Sequence, residues 1–325
     1  MKPLFKVLLS VLVLLVALGV GGYYYALKKF QPPPNQLAIT RLPAACEFRW
    51  KTDTIARPTV PHAGLLVPIA LPGCPRTCYL QFDTGAPYSL LYARPLAALR
   101  ARYPATRAGL LARADTVHNL RFGLGGSQVH ARWIRVYEHG ARALPADSTA
   151  PFIVGTLGSD VLDGRALVLD YARRRFVLNN DVPDSLARRA DFVPLAFTSR
   201  RLMLTAAMQG QPQKLLFDTG SSAFALLTSE TVWHKLARPT APVRITPSSS
   251  MGRPLKAHTA ATAATVQLGA ATLPLGTVTF IRGMSIGQEL LMSASGMEGM
   301  LGNEPFSQRM VIFDVRGGRF GLVRP

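Results

Sequence analysis

From about Leu37 onward the chain sets short apolar runs between clusters of Gly and Pro, a pattern that predicts many brief strands. Gly64 to Leu71 reads as a strand, Cys74 to Cys78 as the turn that ends it, and Tyr79 to Phe82 as the returning strand. Further strands are expected at Asn119–Leu124, Val129–Val136, Ala166–Tyr171 and Phe176–Leu178. Ala93 to Arg102 is the best early helix, because Leu96 and Leu99 recur at helical spacing. The amino terminus has a different pattern. Lys2 and Lys6 precede an apolar run from Val7 to Leu27, closed by Lys28-Lys29, and about 20 apolar residues suffice to cross a bilayer. The run is longer than the core of a cleaved signal peptide, and no small-x-small site comes after it, so it reads as an uncleaved anchor. Tyr23, Tyr24 and Tyr25 fall where one membrane interface would lie. Gln31-Pro32-Pro33-Pro34-Asn35 then serves as a stiff spacer. Lysines flank both ends of the run, so the charge bias is nearly balanced; the body is expected outside the cytoplasm because a signal-type start exports the chain behind it.

An internal repeat organises the rest. Phe82-Asp83-Thr84-Gly85 returns as Phe217-Asp218-Thr219-Gly220. Each copy comes after an apolar run, Tyr79-Leu80-Gln81-Phe82 or Leu215-Leu216-Phe217, and leads into more apolar sequence. Downstream, Gly155-Thr156-Leu157-Gly158 aligns with Gly299-Met300-Leu301-Gly302. Without a gap Val168 then falls on Ile312, Asp170 on Asp314, Phe176 on Phe320 and Leu178 on Leu322. The offset is 144 here and 135 between the aspartates, so the second copy holds about nine more residues in between. Asn179 to Asp191, polar and containing Pro183, is the natural connector. Gly158 and Gly302 lack side chains, which lets another backbone approach closely, and the Asp-bearing loop is the one expected there.

An acid between two buried segments is costly unless compensated. If the two halves bring Asp83 and Asp218 together, the carboxylates cannot both ionise easily and hold one proton between them. Water between them is deprotonated by the ionised member while the protonated member polarises a peptide carbonyl; aspartic proteases are the standard example of this shared proton. Thr84 and Thr219 offer hydroxyls to the opposite half's backbone, and Gly85 and Gly220 let backbone N–H groups approach the carboxylates. Ser221 is placed to donate to Asp218, whereas Ala86, its counterpart, cannot. The expected activity lies at mildly acidic to neutral pH, without a covalent intermediate, metal or other cofactor.

Over roughly residues 60 to 325 the sequence resembles the aspartic proteases of the pepsin and retropepsin type, on Asp83-Thr84-Gly85-Ala86, Asp218-Thr219-Gly220-Ser221-Ser222 and the two Leu-Gly elements. The resemblance implies an all-β, bilobed pepsin-like acid-protease fold, with two related barrel-like lobes after an N-terminal transmembrane helix, and endopeptidase activity with Asp83 and Asp218 as the catalytic pair. Thr84, Gly85, Thr219, Gly220 and Ser221 would support the catalytic loops, and Gly158 and Gly302 the strands beneath. The expected organisation is a stub and anchor over 1–30, a linker and extension over 31–59, a first lobe over 60–180, a connector over 181–194 and a second lobe over 195–325. The sequence departs from the family in the flap: Thr106 to Gly126 holds no Tyr or Trp. Gly109 and the Gly123–Gly126 cluster remain for a mobile hairpin, and Ser248-Ser249-Ser250-Met251-Gly252 for a loop over the cleft. Pro87 stiffens the first Asp loop.

Charge and cysteine content narrow the alternatives. There are 37 Lys and Arg against 18 Asp and Glu, a formal charge of +19, which attracts anionic peptides or lipid head groups. The arginines are scattered and no zinc finger, basic helix or RNA-binding signature accompanies them, so nucleic acid is not an expected partner. A peptide or protein substrate and the membrane are, with a monomeric catalytic unit. Of the three cysteines, Cys74 and Cys78 could close a small disulfide loop, and no Cys or His set has a metal spacing. No phosphate loop or Gly-x-Ser-x-Gly elbow occurs. The remaining rival is a non-catalytic peptide- or envelope-binding protein on the same fold.

Overall fold

The computed structural model describes residues 31–53, 59–250, 253–283 and 297–324, with Gly19, Gly21 and Gly22. The chain divides into Met1–Pro34 and Asn35–Pro325. In the first unit the three described glycines are helical, and the rest of the apolar run from Val7 to Leu27 lies outside the described residues. No helix among the described residues is long and apolar enough to cross a membrane.

Strand accounts for 51% of the described residues and helix for 14%, an all-β class. Among the described residues the strands form two sheets, of nine and fifteen strands. The strand expected at Gly64 runs Val60–Ala70 and returns as Cys78–Asp83, and the helix spans Ala93–Arg102 with Pro95, Leu96 and Leu99 buried. The strands expected at Asn119 and Val129 extend to Thr116–Leu124 and Ser127–Tyr137. Pairing sets these ends rather than side-chain pattern: Thr116 faces Arg135, and Arg121 faces His130.

Residues 31–59, expected as linker and extension, hold three short strands. Leu37–Thr40 pairs with Ser127–Tyr137 in the smaller sheet, Ala44–Glu47 with Arg175–Asn179 in the larger, and Arg49–Asp53 with Val60–Ala70. Strands this short do not persist alone; the ladders hold them, and fully buried Phe48 fixes the stretch to the core. The connector stretch contains a helical turn at Asp184–Ala187 and runs into Ala190–Thr198. That strand pairs with Arg319–Val323 at its start and with Arg201–Met208 at its end.

The repeat has a spatial counterpart. The closing hairpins of the two halves lie side by side: Val168 faces Ile312, Ala166 faces Asp314 and Asp170 faces Met310. Val168 thus faces its own partner in the repeat, as a local two-fold requires. The core repeats likewise: Phe82 meets Phe176 with ring centroids 5.4 Å apart, and Phe217 meets Phe320 at 5.8 Å.

Cys74 and Cys78 flank the turn as free thiols, not as the disulfide that their spacing would allow. Both sulfurs donate to the same carbonyl, that of Arg76, at 3.4 and 3.8 Å. Burial, and then the neighbouring Cys74, push the Cys78 thiol well above its ordinary range. Cys78 is therefore held as the thiol at this turn. The third thiol, Cys46, is also free, and burial pushes it up to about 12.

Candidate active site

Each aspartate sits at the end of a strand whose neighbour is parallel. Cys78–Asp83 runs beside Ile153–Gly158, which pairs on its other side with Leu90–Tyr92 in antiparallel fashion. Gln211–Phe217 runs beside Gly299–Leu301, which pairs on its other side with Leu226–Thr228. The chain leaving each Asp therefore crosses over the strand beneath it. Gly158 and Gly302 make the crossing possible. A Cβ on Gly158 would lie under 3.0 Å from the backbone of Tyr88 and Ala86, and one on Gly302 equally close to Ser221 and Phe224.

Four hydrogen bonds tie the two loops together. Thr84 Oγ1 donates to the Phe217 carbonyl at 2.8 Å and accepts from the Thr219 amide at 3.0 Å. Thr219 Oγ1 donates to the Phe82 carbonyl at 3.0 Å and accepts from the Thr84 amide at 3.0 Å. Both threonines are fully buried. Each hydroxyl thus satisfies a donor and an acceptor of the opposite half that water cannot reach.

The lock brings the carboxylates together. The Gly85 amide donates to Asp83 Oδ1 at 2.9 Å and also reaches Asp218 Oδ1 at 3.2 Å, so one N–H is shared between the pair. Each glycine faces the other half's acid: a Cβ on Gly220 would lie 2.5 Å from Asp83 Oδ1, and one on Gly85 2.7 Å from Asp218 Oδ1. The pair is not symmetric. Asp83 accepts from the amides of Gly85 and Ala86, both at Oδ1. Asp218 accepts from the amides of Gly85 and Gly220 at Oδ1, and from the Ser221 hydroxyl at Oδ2, 2.7 Å away. Burial, then the charge and hydrogen bonding of Asp218, push Asp83 up to about 8, against the lowering effect of its two amide donors. Two carboxylates in this setting hold one proton, and the extra donor on Asp218 favours leaving it on Asp83. A water between them would find one base and one acid.

The sequence did not reveal what supports the first loop. Ser89 donates to Asp160 through its amide (2.8 Å) and hydroxyl (2.7 Å), and its Oγ accepts from the Gly158 amide at 3.0 Å. Asp160 is buried, and burial raises its pKa while the Ser89 donors lower it. The available signal was an acid two residues after Gly158 in an otherwise buried run. The second half uses Asn303 instead, which donates to the Thr219 carbonyl and to Ser222 Oγ, and accepts from Tyr171 at 2.7 Å.

The glycine cluster expected to carry a mobile flap is occupied otherwise. Gly125 and Gly126 form the turn between Thr116–Leu124 and Ser127–Tyr137. Gly125 has φ +52, its carbonyl accepts from the Ala45 amide at 2.8 Å, and a Cβ there would collide with Ala45. This tip is therefore pinned to the Ala44–Glu47 strand. Ser248 to Ser250 belong to Arg244–Ser250, which pairs with Arg253–Ala261; Met251 and Gly252 lie outside the described residues. Among the described residues no three His, Cys, Asp or Glu side chains gather as a metal would need. In comparison with known proteins, no family model and no curated sequence matches the chain.

Proposed function

We propose that the chain is an aspartic endopeptidase of bilobed, pepsin-like fold that cleaves peptide bonds with water activated between Asp83 and Asp218. The observation that carries this reading is the shared Gly85 amide together with the crossed Thr84 and Thr219 bonds, which hold two acids face to face. In the reaction, ionised Asp218 takes a proton from the water as its oxygen adds to the carbonyl carbon. Asp83 gives its proton to the carbonyl oxygen. The resulting gem-diol collapses: the C–N bond breaks, Asp218 passes its proton to the departing nitrogen, and Asp83 recovers its own from the diol. No bond forms between protein and substrate. The pair must hold one proton, and the raised Asp83 keeps it there through neutral pH.

The apolar run before Lys28 would anchor this unit to a membrane, with the body outside the cytoplasm and one chain sufficient for the site. The test is digestion of an unfolded protein mixture by the wild type, Asp83→Asn and Asp218→Asn. Cleavage by the wild type alone supports the proposal. Equal behaviour of all three ends it, and peptide binding that survives without cleavage assigns the chain to the binding-protein rival.

A further inference from the structure

Alternate residues of a strand share a face, so Tyr79, Gln81 and Asp83 line up along one side of Cys78–Asp83. The Arg49–Asp53 strand lies two strands away: Lys51 faces Gly64, and Arg49 faces Leu66, which faces Gln81. Gly64 has no side chain to separate them. Lys51 therefore reaches across it and donates from Nζ to Gln81 Oε1 at 3.3 Å. Lys51 and Gln81 open into a cavity of about 400 Å³, with Tyr92, His139, Phe152 and Ile153 among its walls. Gln81 in its wall and Asp83 are successive residues on one face of Cys78–Asp83, so the cavity lies one step along that strand from Asp83.

Farther along the same strand a second cavity of about 400 Å³ is lined by Arg49, Arg76, Tyr79, Tyr103, Ser148 and Thr149. Arg49 donates to the Thr149 carbonyl, and Arg76 to the carbonyls of Asp147 and Ala150. The Nε of Arg76 is buried with no hydrogen-bond partner. Asp147 offers Arg76 its carbonyl, while its carboxylate accepts from Thr149. Arg49 is exposed, whereas Lys51 and Arg76 are half-buried. The donors of Thr149 lower the Asp147 carboxyl, and the charge of Arg76 lowers it further. Lys51 has no ion-pair partner among the described residues. Half-buried cations of this kind favour an incoming anion.

We infer that the cleft leading from Asp83 along this strand selects peptides with acidic side chains, Lys51 taking a Glu or Asp beside the scissile bond and Arg49 and Arg76 a second one farther out. The inference rests on the hydrolytic reading of the aspartate pair and names its substrate class. The test is digestion of a mixed peptide library, with each cut site identified by mass. Acidic residues within four positions of the cut should be enriched about tenfold over Asn and Gln, the ratio a hydrogen bond to a charged group provides. Lys51→Met should collapse that ratio toward one, Lys51→Arg should keep it, and Lys51→Glu should turn it toward Lys and Arg. Cuts that show no acidic preference, yet vanish in Asp83→Asn, overturn the inference and leave the protease intact. If nothing is cut, the affinities of a Glu peptide and its Gln counterpart for the full chain decide: a preference for Glu upholds a cationic cleft, and equal affinities overturn it.

Discussion

Replacing Thr84 with Val isolates the lock between the loops. Val keeps the shape and removes only the hydroxyl, which donates to the Phe217 carbonyl and accepts from the Thr219 amide. Both groups would be left buried and unpaired, and each such loss costs about 1–3 kcal/mol, so about 2–6 kcal/mol in total. Thr219→Val should cost a similar amount, because Thr219 makes the matching bonds to Phe82 and Thr84. Each hydroxyl accepts from the other threonine's amide, so the two sites belong to one network and the double variant should depart from the sum by about 0.5–3 kcal/mol. At about 2–4 °C per kcal/mol for a domain of 150–250 residues, each melting midpoint falls by at least about 4 °C. Thermal unfolding followed by tryptophan fluorescence reads this out, with Thr84→Ser as the control that restores the hydroxyl. A loss under about 1 kcal/mol in Thr84→Val, or a large asymmetry between the two sites, would refute the crossed lock.

Other outcomes are expected from the same geometry. Asp83 is raised from 3.8 to about 8, so its proton binds more tightly in the folded state; that stability is full below about pH 4 and is lost as pH rises toward 8. Asp83→Asn should therefore flatten the fall in melting temperature between pH 5 and pH 8, and an unchanged slope contradicts the assignment. Gly220→Ala puts a methyl 2.5 Å from Asp83 Oδ1 and should lower kcat by about 10²-fold through misplacement of the pair, with a near wild-type rate as the contrary result. Alkylation of the unfolded, unreduced protein should modify Cys46, Cys74 and Cys78; a protected Cys74–Cys78 pair would show that the thiols oxidise.

Much of the candidate site was legible because it is local and repeated. Phe-Asp-Thr-Gly and Leu-Gly each fix a strand end and a close approach within a few residues, and two copies at related spacings imply one geometry used twice. The gap-free shift sets Val168 on Ile312, and that one pair is also the centre about which the two strands pair antiparallel. What remained hidden depends on distant pairing. Leu37–Thr40 and Ala44–Glu47 are too short to read as strands until their ladders to Ser127–Tyr137 and Arg175–Asn179 exist. Gly125-Gly126 looked like a mobile tip because nothing near it in the sequence reveals Ala45 against it. Lys51 and Arg76 are far apart along the chain, and the charge they bring to the cleft was submerged in a scattered excess of arginine.

In the proposed mechanism Asp83 and Asp218 work as one group around one proton. The most direct test compares kcat/KM for peptide cleavage in Asp83→Asn, Asp218→Asn and the variant carrying both. If the acids act as a unit, either single change removes nearly all activity, and the second removes almost nothing more. Losses that multiply, or a single variant that keeps a substantial rate, would mean that each carboxylate acts alone.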